Sequence, residues 1–159
     1  MLDMKRFNLA KHDEELVSLI KKTDQKVLAL WAIDYLSPYL PYYKEKYPND
    51  KTIEIAFNIL KDWCEGKITN WNACKYCLAI LKRAREVEKE NKERALILSG
   101  ASHTLATCHV ATHAEGSAMY VLAFLKYQNQ NKENIIEILE KERKEQINHL
   151  VELKEKYKN

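Results

Sequence analysis

The stretch ALILSGASHTLATCHVATHAEGSAMYVLAFL, Ala95–Leu125, decides the fold. Asp, Glu, Lys and Arg are absent from Ala95–Ala114, and Glu115 is the first charged side chain to follow. Polar side chains are scarce on every face, so a helix here must be covered nearly all round. Its side chains are small (Ser99, Gly100, Ala101, Ser102, Ala106, Thr107, Ala111 and Ala114), which lets neighbouring helices approach closely. Gly116 predicts a bend or a tight contact before Met119–Leu125 resumes the apolar run. The length invites a membrane reading. His103, His109, His113 and several hydroxyls argue against it, because hydrocarbon penalises them. The segment reads as a buried central helix.

Amphipathic helices flank it. Residues 13–22 place Leu16, Val17, Leu19 and Ile20 on one side, and Asp24 stands ready to cap a helix over Gln25–Leu36. Ser37-Pro38 predicts a new start and a short helix through Tyr43. After the turn at Pro48-Asn49-Asp50, Thr52 is expected to cap a helix with Ile53, Ala56, Phe57, Leu60, Trp63 and Cys64 on one stripe. Gly66 ends that helix in the place of a left-handed C-cap. The next stripe is Trp71, Cys74, Cys77, Leu78, Leu81 and Ala84, followed by the charged run Lys82–Arg94. After a loop at Asn129–Asn131, residues 132–157 turn Ile135, Ile138, Leu139, Ile147, Leu150 and Leu153 inward, with the polar Glu140–Gln146 expected either to project into solvent or to divide the stretch. Three Gly and three Pro in 159 residues leave little turn material for a sheet. The expectation is one all-α domain over 1–159, a bundle of about six or seven helices around the small-residue, His-bearing helix.

Lys and Arg number 26 against 23 Asp and Glu, for a net charge of +3, and the signs interleave. No block of one sign stands out, so nucleic acid is not an expected partner. Met1–Ala10 lacks the apolar run of a signal peptide, and the four cysteines (Cys64, Cys74, Cys77, Cys108) have no secretory setting. A cytoplasmic protein with reduced thiols and no membrane partner follows.

His109 and His113 stand four apart, the spacing that places two imidazoles on one helix face and that zinc sites use. No Glu follows the first His, so the metalloprotease pattern is incomplete. Cys74-x-x-Cys77 falls on an apolar stripe and reads as core packing. Asp34, next to an apolar face, needs a partner such as Arg83 or a histidine. His12-Asp13 has no supporting ligands around it, and Glu145 and His149 miss the Glu-x-x-His spacing of di-iron bundles. No cofactor is expected. The polar set Asp34, Arg83, His103, His109 and His113 reads as a structural network. Tyr42, Tyr43 and Tyr47, amid Lys44 and Lys46, are candidates for partner contact, because tyrosine suits interfaces.

Several pieces share an order: Trp31-Ala32-x-Asp34 with Leu40-Pro41, Trp63-Cys64-Glu65-Gly66-Lys67, Arg83-Ala84, and above all Ser99–Ala114, SGASHTLATCHVATHA. Together they resemble the Imm-5-like immunity protein family over residues 25–155. The resemblance implies a binding role without catalysis, in which the chain neutralises a cognate toxin. It places the family's His-rich helix on His109 and His113, with Asp34 and Arg83 in support. The alternative reading is a metal-binding or enzymatic helical domain centred on His109 and His113. Homo-oligomer formation is left open by both.

Overall fold

A computed structural model describes residues 10–158, with side chains from Asp13 onward. Residues 1–9 and the side chain of His12 lie outside that range. Among the described residues the chain is helical throughout. Seven helices have twelve residues or more: α1 (Ala10–Lys21), α2 (Gln25–Leu36), α4 (Thr52–Cys64), α6 (Cys77–Glu88), α7 (Lys92–Ala106), α8 (His113–Gln128) and α9 (Ile135–Lys156). Two short ones, α3 (Leu40–Lys46) and α5 (Asn70–Cys74), and a 3-10 turn at Ser37–Tyr39 complete the path.

The expected central helix is a hairpin instead. α7 stops at Ala106, and Thr107–Thr112 turns the chain into α8. Threonine hydroxyls compete with the helical ladder here. Thr104 Oγ1 donates to the Gly100 carbonyl at 2.9 Å and Thr107 Oγ1 to the His103 carbonyl at 3.1 Å. Gln25 Nε2 donates to the Thr107 carbonyl at 2.8 Å and ties the turn to α2. The two helices run antiparallel, Gly100 facing Tyr120 and Thr104 facing Ser117. α7 is buried on almost every side, from Ala95 to Leu105, as its composition predicts. A Cβ at Gly100 would sit 3.1 Å from Leu36 Cδ1, so this glycine admits α2 to the centre. Gly116 causes no bend; it lies within continuous α8.

Two further expectations are corrected by burial. The stripe drawn from Trp71 to Ala84 is broken between α5 and α6, and Trp71 and Leu78 are exposed. The middle of α9 does not project: Arg143 is 4 % exposed and Gln146 0 %. Gln146 is held there by full satisfaction of its amide and neighbouring backbone, which is the condition for burying a polar group. Its Nε2 donates to the Ala118 carbonyl at 3.1 Å, its Oε1 accepts from Arg143 at 2.8 Å, and its own carbonyl accepts the Trp31 indole at 3.0 Å.

Asp50, between α3 and α4, is the polar tie of the other half. Its Oδ1 accepts from Thr52 N at 2.9 Å and from Thr52 Oγ1 at 2.5 Å, so Asp50 rather than Thr52 serves the start of α4. Its Oδ2 accepts from the Tyr43 hydroxyl at 2.6 Å and from Arg83 Nε at 2.7 Å. Burial alone raises the carboxyl's affinity for a proton. The hydrogen bonds from Thr52, Tyr43 and Arg83 outweigh it and hold Asp50 well below the usual carboxylate range. Its contribution is therefore complete above the unfolded value near 3.9 and is lost as the pH falls below that. Asp50→Asn leaves Arg83 half-paired and is expected to cost about 2 kcal/mol in urea unfolding at pH 7. The difference from the parent chain should shrink in the same measurement below about pH 4.

Candidate functional site

The histidines were the sequence's strongest signal, and their geometry is particular. His103, in the last turn of α7, faces His113, the first residue of α8, with Nδ1 to Nδ1 at 3.2 Å and ring centroids 5.3 Å apart. Tyr120 stacks on the far side of His103 at 5.3 Å. Beneath the ring lies Gly116. A Cβ there would stand 2.5 Å from His103 Nδ1 and 2.9 Å from its Cγ, so the ring occupies the space of a missing side chain. Thr104 and Ser117 hydroxyls close the junction at 2.8 Å. At this distance one Nδ1–H can donate to the other ring's Nδ1, the direction being set by the tautomers. Burial first, and the charge of His113 second, hold His103 below the ordinary imidazole value.

His109 does not join this pair. It lies exposed in the turn between α7 and α8, so the four-residue helical spacing to His113 is never realised. Among the described residues no group of three or more His, Cys, Asp or Glu is placed to hold a metal ion. Asp34 and Arg83 are also elsewhere. Asp34 meets His149 Nε2 at 2.8 Å across α2 and α9, and Arg83 meets Asp50. The five residues expected to form one network thus fall into three separate contacts and one exposed imidazole. Cys74 and Cys77 straddle the break between α5 and α6 and both pack against the core, as the sequence reading expected, with Cys74 Sγ 3.4 Å from Cys108 Sγ.

The tyrosines divide in the same way. Tyr43 is 0 % exposed, with its hydroxyl on Asp50, so its ring presents nothing to a partner. Tyr42 donates to Glu93 at 2.5 Å and lies under the Arg94 guanidinium, 4.0 Å from its ring centroid. Tyr47 donates to Glu90 at 2.5 Å and stacks with Arg83 at 5.0 Å. Both fasten the α3 region to the start of α7 and its approach. Their hydroxyls found carboxylates more than forty positions away in the chain, which no local spacing foretells.

A different surface stands open. Trp71 is 73 % exposed and Leu78 74 %. On α6, Leu78, Leu81, Lys82 and Arg85 follow the i, i+3, i+4, i+7 spacing of one face, and all are exposed. Beside them a cleft of about 440 Å³ opens between α6, α7 and α8. Its walls are Leu81, Ala84, Ala95, Leu96, Tyr120 and Tyr127, with Arg85, Lys92 and Glu88 among its polar members. Tyr120 belongs both to this cleft and to the histidine junction. Sequence reasoning assigned these apolar residues to the core, yet a signal was present. From Lys67 to Arg85 the chain carries Lys67, Lys75, Lys82, Arg83 and Arg85 and no Asp or Glu, a one-signed stretch within an otherwise interleaved sequence.

Helices on all sides of a small-residue hairpin, half-buried histidines at its junction and an apolar cleft with a cationic rim define an all-α protein. Residues 18–153 match the family described as Imm-5 like putative immunity protein, and the chain belongs to it. No curated protein and no solved structure matches the chain. No helix among the described residues is long and apolar enough to cross a membrane.

The junction makes a sharp prediction. Gly116→Ala adds helix propensity worth about 1 kcal/mol, yet is expected to destabilise by about 1–2 kcal/mol because the His103 ring must leave its seat. In a His103→Ala background the same change should become neutral or stabilising, which a double-mutant cycle in urea reads directly. By NMR, His103 should titrate below the ordinary value near 6.5. Stability should accordingly decline as the pH falls through that value, since the unfolded chain takes up the proton first.

Proposed function

We propose that this chain is an immunity protein that neutralises a toxin by binding it and performs no catalysis. Membership of the family supports a toxin partner in general terms. The observation that carries the binding reading is the pair Trp71 and Leu78, largely exposed although each is big enough to anchor a core. Leaving such side chains in water contributes nothing to folding. Both exposed within the α5–α6 segment, they suit a partner whose pocket excludes water from them, and tryptophan is enriched among the energetic anchors of protein interfaces. Inhibition would then follow from coverage of the toxin's working surface.

Co-expression with each toxic protein encoded in neighbouring genes tests the proposal. The chain should restore growth against one of them and bind it stoichiometrically in size-exclusion chromatography with light scattering. Trp71→Ala and Leu78→Ala should each weaken that complex by roughly tenfold or more while leaving the melting temperature unchanged. A chain that neither protects nor binds any of these toxins would remove the immunity reading. Protection without a stable complex would point to a catalytic antidote instead.

A further inference from the structure

We infer that the toxin docks through an acidic surface with a projecting apolar side chain, seated against the α6 face and its cleft. This deepens the immunity reading and rests on it.

The argument is one of charge complementarity around an apolar centre. From Lys67 to Arg85 the chain carries five cations and no Asp or Glu; of these, Lys67 pairs with Glu65, and Arg83 with Asp50 and Glu86. Lys75, Lys82, Arg85 and Lys92 form no ion pair among the described residues, and Arg85 and Lys92 line the cleft itself. Lys82 and Arg85 share the exposed α6 face with Leu78 and Leu81. Lys75 stands 6.0 Å from the Trp71 ring, and Lys92 lines the cleft opposite Leu81. Glu88 is the single carboxylate in that lining. Unpaired cations around exposed apolar groups attract carboxylates, and the matched potentials speed encounter and reject basic surfaces.

The cleft favours a protein over the other polyanions. Its volume of about 440 Å³ and its aliphatic and tyrosine walls accept a buried apolar side chain. A phosphate backbone offers no such group, and a bilayer offers a plane rather than a projection. The same logic sets the toxin's character. A nuclease gathers phosphates on a basic surface, and that surface would be repelled here.

The test uses the full chain immobilised against a random peptide library displayed on phage. Enriched sequences should combine Asp or Glu with a Trp, Phe or Leu. A synthetic peptide of that consensus should bind less tightly as salt is raised. Lys82→Glu combined with Arg85→Glu should weaken it by about tenfold or more, and Leu81→Ser likewise, whereas Lys144→Glu on α9 should not. All four residues are exposed, so folding is kept, and circular dichroism confirms it. Enrichment of basic peptides, or binding unmoved by the α6 substitutions, overturns the inference. So does binding of duplex DNA or phosphatidylglycerol vesicles that Lys82→Glu with Arg85→Glu abolishes, and so does self-association abolished by that change. The toxin assay separates the two levels: full protection by the α6 variants sinks this docking surface while the immunity role stands, and absence of protection by the parent chain sinks the immunity role itself.

Discussion

Everything in this fold is arranged around the distance at which α8 can lie on α7. That distance is set where the His103 ring fills the place of a side chain that Gly116 does not have, with Nδ1 2.5 Å from the missing Cβ. Any larger residue would drive the His103 ring from its seat between the helices. Gly100 plays the matching part at the other end, under Leu36. Between them Thr104 and Ser117 exchange a hydrogen bond instead of filling volume. A core of small side chains buries less apolar area per residue than one of leucines. It gains instead a close, defined backbone approach and fully matched polar atoms.

That economy explains why the remaining polar contacts matter. Two buried clusters link the hairpin's surroundings. Gln146 and Arg143 join α9 to α8 and to Trp31 of α2, and Asp50 joins α3 and α4 to Arg83 of α6. In each, one side chain satisfies several donors or acceptors at once. A buried group with every bond made costs little and specifies one arrangement, whereas a half-satisfied one costs the full desolvation. The helices are thereby fixed in position by directional bonds as much as by apolar area.

The helical class was legible because it follows from periodicity and from the scarcity of Gly and Pro, both local properties. Gly66 is the clearest local success: its φ of 75° is the left-handed cap expected at the end of α4. The breaks were illegible for a physical reason. Thr107 and Thr112 bracket a turn whose stability comes partly from Gln25, eighty-two positions earlier. The histidine pair was misread because spacing along a helix was assumed across that turn, so His109 was matched with His113 in place of His103. Trp71 and Leu78 were misread because an amphipathic stripe states which residues are apolar and not whether a neighbouring helix arrives to cover them. Asp50 looked like a turn residue and nothing more; its role is visible only when Tyr43 and Arg83 converge on it.

The surface that results has a consistent electrostatic logic. Lys44, Lys51, Lys67 and Arg83 are taken up by carboxylates close at hand, and the exposed pairs among these contribute little stability, about 0–1 kcal/mol each. Their effect is rather to cancel charge locally. Along α6 and its cleft, positive charge from Lys82, Arg85 and Lys92 stands beside exposed apolar side chains. Charge alone would bind any polyanion weakly and at long range, and apolar area alone would invite self-association. Joined on one face, the first orients an encounter and the second holds it, and each rejects part of what the other would accept. An immunity protein must ignore the many acidic surfaces of its own cell and still capture one toxin quickly. Under the docking proposed above, a cationic rim around a cleft that demands a fitting side chain would meet both requirements, on helices held by the α7–α8 contact.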